Sequence, residues 1–190
     1  MTPEVKAKLT AVALAAGLAG AGAAWLARRG ETDATPAVGW GGAVLALVVG
    51  WSYVGSGLVA WRHRPDNRLG PVMVLIGLTW FATFLADAAG SLAFTVGTAV
   101  ESVYLVGFIY LVLSFPSGAP RGRGDGALVA SGVVLVTVVQ LAWMLFADSR
   151  AVICPECPDN AFEIARHDAL ADGILQGQRI CGVLLSILTV

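Results

Sequence analysis

Residues 92–115 read "LAFTVGTAVESVYLVGFIYLVLSF", an apolar run interrupted by one carboxylate, Glu101. A hydrocarbon core of ~30 Å needs about 20 mostly apolar residues in a helix, so this stretch has the length of a membrane span. Its apolar residues are continuous and do not alternate with polar ones, which separates it from the strand of an outer-membrane barrel. Five further stretches give the same reading: Leu9–Ala27, Ala37–Trp61, Leu69–Asp87, Ala127–Ala147 and Ile174–Val190. The expected fold is all-α: a polytopic bundle of about six transmembrane helices, forming one membrane domain over residues 1–190.

The composition agrees. Hydrophobic residues make up 57% of the chain and charged residues 13%, with a mean hydropathy of +0.76. A soluble domain carries roughly 25% charged residues, so part of the apolar surface is expected to face a lipid bilayer. The net charge of −1 offers no basic stripe for phosphates and excludes nucleic acid as a partner. The last stretch is short and ends at Val190 without a basic flank, which suggests a chain truncated there.

Orientation follows from Lys and Arg in short loops near helix ends. With the N-terminus inside the cell, Lys6, Lys8, Arg62, Arg64, Arg68, Arg121 and Arg123 lie on the cytoplasmic side. The loops "RHRPDNR" and "PSGAPRGRGDG" concentrate that charge, while Arg28 and Arg29 argue against it. The first stretch also has features of a signal peptide, but its apolar core exceeds the roughly 7–15 residues of one, which favours a retained helix. Within it Ala13, Gly17 and Ala21, and likewise Ala16, Gly20 and Ala24, recur every fourth residue, a pattern that lets helices approach closely in lipid. Trp40, Trp51, Trp61, Trp80 and Trp143 sit mostly near span ends, as an aromatic belt requires.

Two polar residues lie within expected spans, Glu101 and Gln140. A carboxylate at such depth is costly unless paired or protonated, which makes both residues candidates for a signal-sensing or ion-binding role. The structural alternative is a neutral Glu101 hydrogen-bonded to Gln140, Ser102 or a neighbouring helix. Asp87, at a span end, is expected to reach interfacial water.

The polar stretch 148–173 falls outside the cell in this topology and contains "CPEC". Cys154 and Cys157 allow three readings. A disulfide in an oxidising compartment needs nothing else. Zinc needs two more ligands, of which His167 supplies at most one. A thioredoxin-type pair needs a helix that Pro158 does not help to continue. The apolar residues Phe162, Ile164, Ala165, Leu170 and Ile174 fit a short amphipathic helix leading into the last span.

Three passages together resemble a family. "WRHRPDNRLGPVMVLIGLTWF", "YLVLSFPSGAPRGRGDG" and "CPECPDNAFEI" are similar to segments in the membrane domains of actinobacterial sensor histidine kinases. The resemblance implies a multi-helix sensory domain of a two-component system, acting as a homodimer. It also implies a downstream kinase part that uses ATP and Mg and addresses a cytoplasmic response regulator. No cofactor and no catalytic motif is expected within residues 1–190. "EIARHDAL" superficially resembles a phosphohistidine box, but two residues of that box are missing between Arg166 and His167, and the segment lies on the wrong side to meet ATP. The competing expectations are a small transporter or permease with Glu101 as an ion or proton site, and a non-catalytic accessory protein. The same loops also read as plain turns, since Pro65, Asn67 and Pro116 each interrupt a helix.

Overall fold

The computed structural model describes residues 7–8, 11–20, 22, 40–153 and 155–189, with the side chains of 40–43 and 152 left aside. Among the described residues the chain is all-helical. After a short apolar helix α1 (Ala11–Gly20) come α2 (Trp40–His63), α3 (Leu69–Thr83), α4 (Ser91–Val100) and α5 (Val103–Ser114). These are followed by α6 (Arg123–Val134), α7 (Gln140–Phe146), α8 (Ser149–Val152) and α9 (Asp168–Thr189). A 3₁₀ turn over Phe84–Asp87 extends α3, and a π turn over Leu135–Val139 joins α6 to α7.

Among the described residues, four helical segments are long and apolar enough to cross a membrane: Val44–His63, Leu69–Asp87, Ser91–Ser114 and Arg123–Phe146. They coincide with the four central stretches expected from sequence, and a multi-pass membrane protein accounts for them. Of the six spans expected, four are found among the described residues. For the first stretch, Leu9–Ala27, the described part supplies only the shorter helix α1, and Ala24 lies outside the described residues. The last stretch lies in α9, where Asp172, Gln176, Gln178 and Arg179 make the first half too polar for a lipid-facing span.

The tightest packing joins α2 to α3. A Cβ at Gly57 would stand 2.8 Å from the Gly70 carbonyl oxygen, and one at Gly70 would stand 2.6 Å from the Trp61 amide nitrogen. Gly77 faces the Gly50 carbonyl at 2.7 Å in the same way. The two backbones therefore touch along a seam of glycines spaced seven apart on each helix, and only glycine fits such a crossing in lipid. Ala16, Val54 and Phe81 form the buried cluster beside this seam. Of the two small-residue rows foreseen in α1, the Ala16–Gly20 row packs, with Gly20 against the Trp51 indole; a Cβ at Gly17 would meet nothing among the described residues.

Aromatic rings continue the core. Tyr53, Phe108, Tyr104, Trp80 and Phe84 meet edge to face in sequence, with centroids 5.3–6.5 Å apart. Trp80 Nε1 donates to the Ala46 carbonyl at 3.0 Å, and Trp143 is 4% exposed. These two tryptophans serve the bundle interior and do not join an interfacial belt.

The two polar motifs at one end of the bundle interlock. Asn67 Oδ1 accepts from the Leu69 amide at 2.9 Å and so caps the start of α3. Gly118 has φ +82° and packs against the same Asn67 side chain, leaving no room for a Cβ. Tyr110 donates its hydroxyl to the Gly118 carbonyl at 2.8 Å, and Arg121 donates to the Phe115 carbonyl. Phe115 is extended, with ψ 137°, as the following proline demands.

Candidate functional site

At the opposite end, the polar stretch is held by the helix ends it covers. Asn160 is 9% exposed, and its amide donates to the Met144 carbonyl at 2.6 Å and the Ala147 carbonyl at 3.2 Å. Those carbonyls belong to the last turn of α7, which has no partners within its own helix. Ala161 donates its amide to Thr95 Oγ1 at 2.8 Å, and Ser149 donates to the Pro158 carbonyl at 2.6 Å. Ser91 donates to the Asp159 carbonyl, and Arg150 pairs with Asp159 at 3.1 Å. Arg166 bridges Glu163 at 2.7 Å and Asp148 at 3.1 Å, and these two carboxylates hold its guanidinium pKa above the usual value.

This anchoring corrects the expected amphipathic helix. Residues 161–167 are non-helical, and α9 begins only at Asp168. The amides of Ile164 and Ala165 turn to the Leu145 carbonyl, at 3.0 and 3.3 Å, and that of His167 to the Phe146 carbonyl at 3.2 Å. The open end of α7 thus captures donors that a continuous helix would have kept for itself. Cys157 is buried and disulfide-bonded, whereas Cys181 is a free thiol. Cys154 lies outside the described residues. Among the described residues no three His, Cys, Asp or Glu side chains come together as a metal site requires.

Beneath this cap a cavity of about 1290 Å³ lies between α4–α5, the α6–α7 segment and α9. Both sequence candidates line it, together with Asp87, Gln178 and Arg179. Each arrives through a local departure from the α-helix. Glu101 and Ser102 form the turn that separates α4 from α5, roughly 15 Å along the axis from Ser91 and near the middle of the segment. Gln140 follows directly on the π turn, a distortion that often marks functional positions in helices.

The amides form a relay across three helices. Gln140 is 7% exposed; its Nε2 donates to the Thr98 carbonyl at 3.0 Å, and its Oε1 accepts from Gln178 Nε2 at 2.8 Å. Gln140 therefore pairs with Thr98 and Gln178, not with Glu101. The Glu101 side chain is exposed at the cavity wall, as are Asp87 and Arg179. None of the three enters an ion pair among the described residues. Two buried polar atoms of the lining, Gln178 Oε1 and Trp143 Nε1, also lack a partner there.

The sequence pointed to Glu101 and Gln140 but not to Gln178, Arg179 or Trp143. Gln178 and Arg179 were legible only as polar dilution at the start of an expected span, and Trp143 as a belt residue. Compared with known protein families, with curated proteins and with solved structures, the chain matches none.

Proposed function

We propose that this chain is the membrane-embedded sensory domain of a two-component histidine kinase, and that the cavity is where its stimulus acts. The reading joins the three family-like passages to one structural observation. The cavity is walled on one side by α9, a helix in which Ala171 alone is buried. Ala171 sits with Trp143, Met144 and Ala147 close to the start of α9. Past that anchor, Gln178 holds α9 to α7 through one side-chain hydrogen bond. A molecule in the cavity changes the energy of α9 in one position relative to another, and a signal acts through such a difference. In the orientation set by the basic loops, the disulfide-bonded cap is outside and α9 runs inward with Gln178 and Arg179 of its polar half turned to the cavity, toward a cytoplasmic kinase dimer.

The direct test is the coding frame beyond Val190. A histidine box followed by an ATP-binding domain is the expected result. An immediate stop codon would remove the kinase assignment.

One observation favours a second reading. Transporters place interrupted helices at the membrane midplane around their ion sites, and the segment carrying Glu101 is interrupted there. Proton or cation uptake by the protein in liposomes, abolished by Glu101→Gln, would select this reading over the sensor.

A further inference from the structure

The lining of the cavity carries three carboxylates, Asp87, Glu101 and Glu156, against one guanidinium, Arg179. Carboxylates that enter no ion pair in a low-dielectric wall favour a cation that can supply the missing charge. Two independent observations point to a bound molecule rather than to a merely acidic surface. Trp143, 4% exposed, keeps an indole N–H without an acceptor, and Gln178 keeps a buried carbonyl oxygen without a donor. Such orphans are rare in folded proteins unless another group satisfies them.

The remainder of the wall is apolar. Leu105, Ile109, Val112, Leu135 and Leu185 line the part remote from the cap. There the polar side chains of α9 are already satisfied, Ser186 by the Gly182 carbonyl at 2.9 Å and Thr189 by that of Leu185. The cavity thus has a polar, net acidic half near the cap and a hydrocarbon-like half beyond it. Its volume exceeds the roughly 300–1,000 Å³ of ordinary small-molecule pockets, which suits a chain-bearing ligand.

From this geometry we infer that the cavity binds an amphiphilic amine: an ammonium head facing Glu101 and Asp87, an adjacent hydrogen-bond acceptor for Trp143, and a hydrocarbon tail along α5 and α9. The inference deepens the sensory reading by naming the ligand class of the same site. Its binding test needs no kinase activity.

A long-chain amino alcohol, sphinganine bearing a diazirine in its chain, serves as probe with the protein in lipid nanodiscs. Photolabelling mapped by mass spectrometry is expected in the peptides covering residues 103–114 and 175–189. Unlabelled sphinganine should displace it at a concentration at least tenfold lower than N-acetylsphinganine, which lacks the cation, or stearate, which reverses it. The double variant D87N/E101Q should reduce cavity labelling at least tenfold. The competition series uses the wild-type chain, so it decides the matter even if the variant does not fold. Equal competition by the uncharged or anionic analogue overturns the proposal, as does labelling spread evenly over exposed residues such as Val59 and Leu75. Either result removes the amine while leaving the sensory reading to the coding frame and to the motion of α9.

Discussion

Gln178 on α9 donates to Gln140 on α7 across 2.8 Å, one residue past the π turn. This bond connects α9, in which one residue of 22 is buried, to the end of the π turn. Gln140 in turn donates to Thr98, one turn before the interruption at Glu101. The relay thus couples three helices at the cavity wall.

Gln140→Leu removes both bonds and leaves the Thr98 carbonyl and the Gln178 amide to find other partners. Interhelical side-chain hydrogen bonds in membranes are worth about 0.6–1.7 kcal/mol each. A loss of about 1–2 kcal/mol in unfolding free energy is expected, read by thermal or denaturant unfolding in detergent. Gln178→Leu should cost less, because it removes one bond and an already unsatisfied acceptor. Equal losses for the two would show that Thr98 contributes nothing.

Gly118→Ala meets two obstacles at once, a left-handed backbone and the Asn67 side chain where its Cβ would stand. The backbone alone costs roughly 1–2 kcal/mol. Asn67→Ala clears the contact but also removes the cap on the Leu69 amide, so the double variant should lose less than the sum of the two single losses. Strictly additive losses would show that the backbone term accounts for all of the Gly118→Ala effect.

Asn160→Ala exposes the end of α7. Its amide serves two carbonyls, and each buried group left without a partner costs about 1–3 kcal/mol. Hydrogen exchange should quicken most at the amides of Ile164, Ala165 and His167, which bond to the same helix end. Unchanged exchange there would mean that the cap is held without Asn160.

Gly70→Val drives a branched side chain into the Trp61 and Gly57 backbone. The contact is backbone on both sides, so no side-chain rotation relieves it. The expected outcome is loss of monodisperse protein on purification. Gly17→Val, where a Cβ meets nothing among the described residues, should leave the yield unchanged.

The central spans were legible because continuous hydrophobicity over about 20 residues is a local property. Leu69–Asp87 was read to the residue. The last stretch failed that reading, while the first, Leu9–Ala27, lies in part outside the described residues. In α9 the apolar residues of the second half masked the polar first half, where Gln178 and Arg179 line the cavity. Glu101 and Gln140 stood out because isolated polar groups in apolar runs are conspicuous. Their lack of mutual contact was not legible, since it depends on the turn at Glu101–Ser102 and on the π turn, which have no composition signal. The glycine seam between α2 and α3 likewise needed the register of two helices, and Asn160 needed the position of the α7 end.

The central claim is that the contents of the cavity set the position of α9. Cys181 is a free, exposed thiol on that helix, and Val48 on α2 is exposed on the far side of the bundle. Spin labels on Cys181 and on V48C report the distance between them, without and with the cavity filled by Ile109→Trp. Helix shifts in switching proteins are about 1–2 Å. A displaced distance distribution of at least that size is predicted for the filled cavity. An unchanged distribution in a folded I109W protein would contradict the account, leaving α9 a fixed wall rather than a moving one.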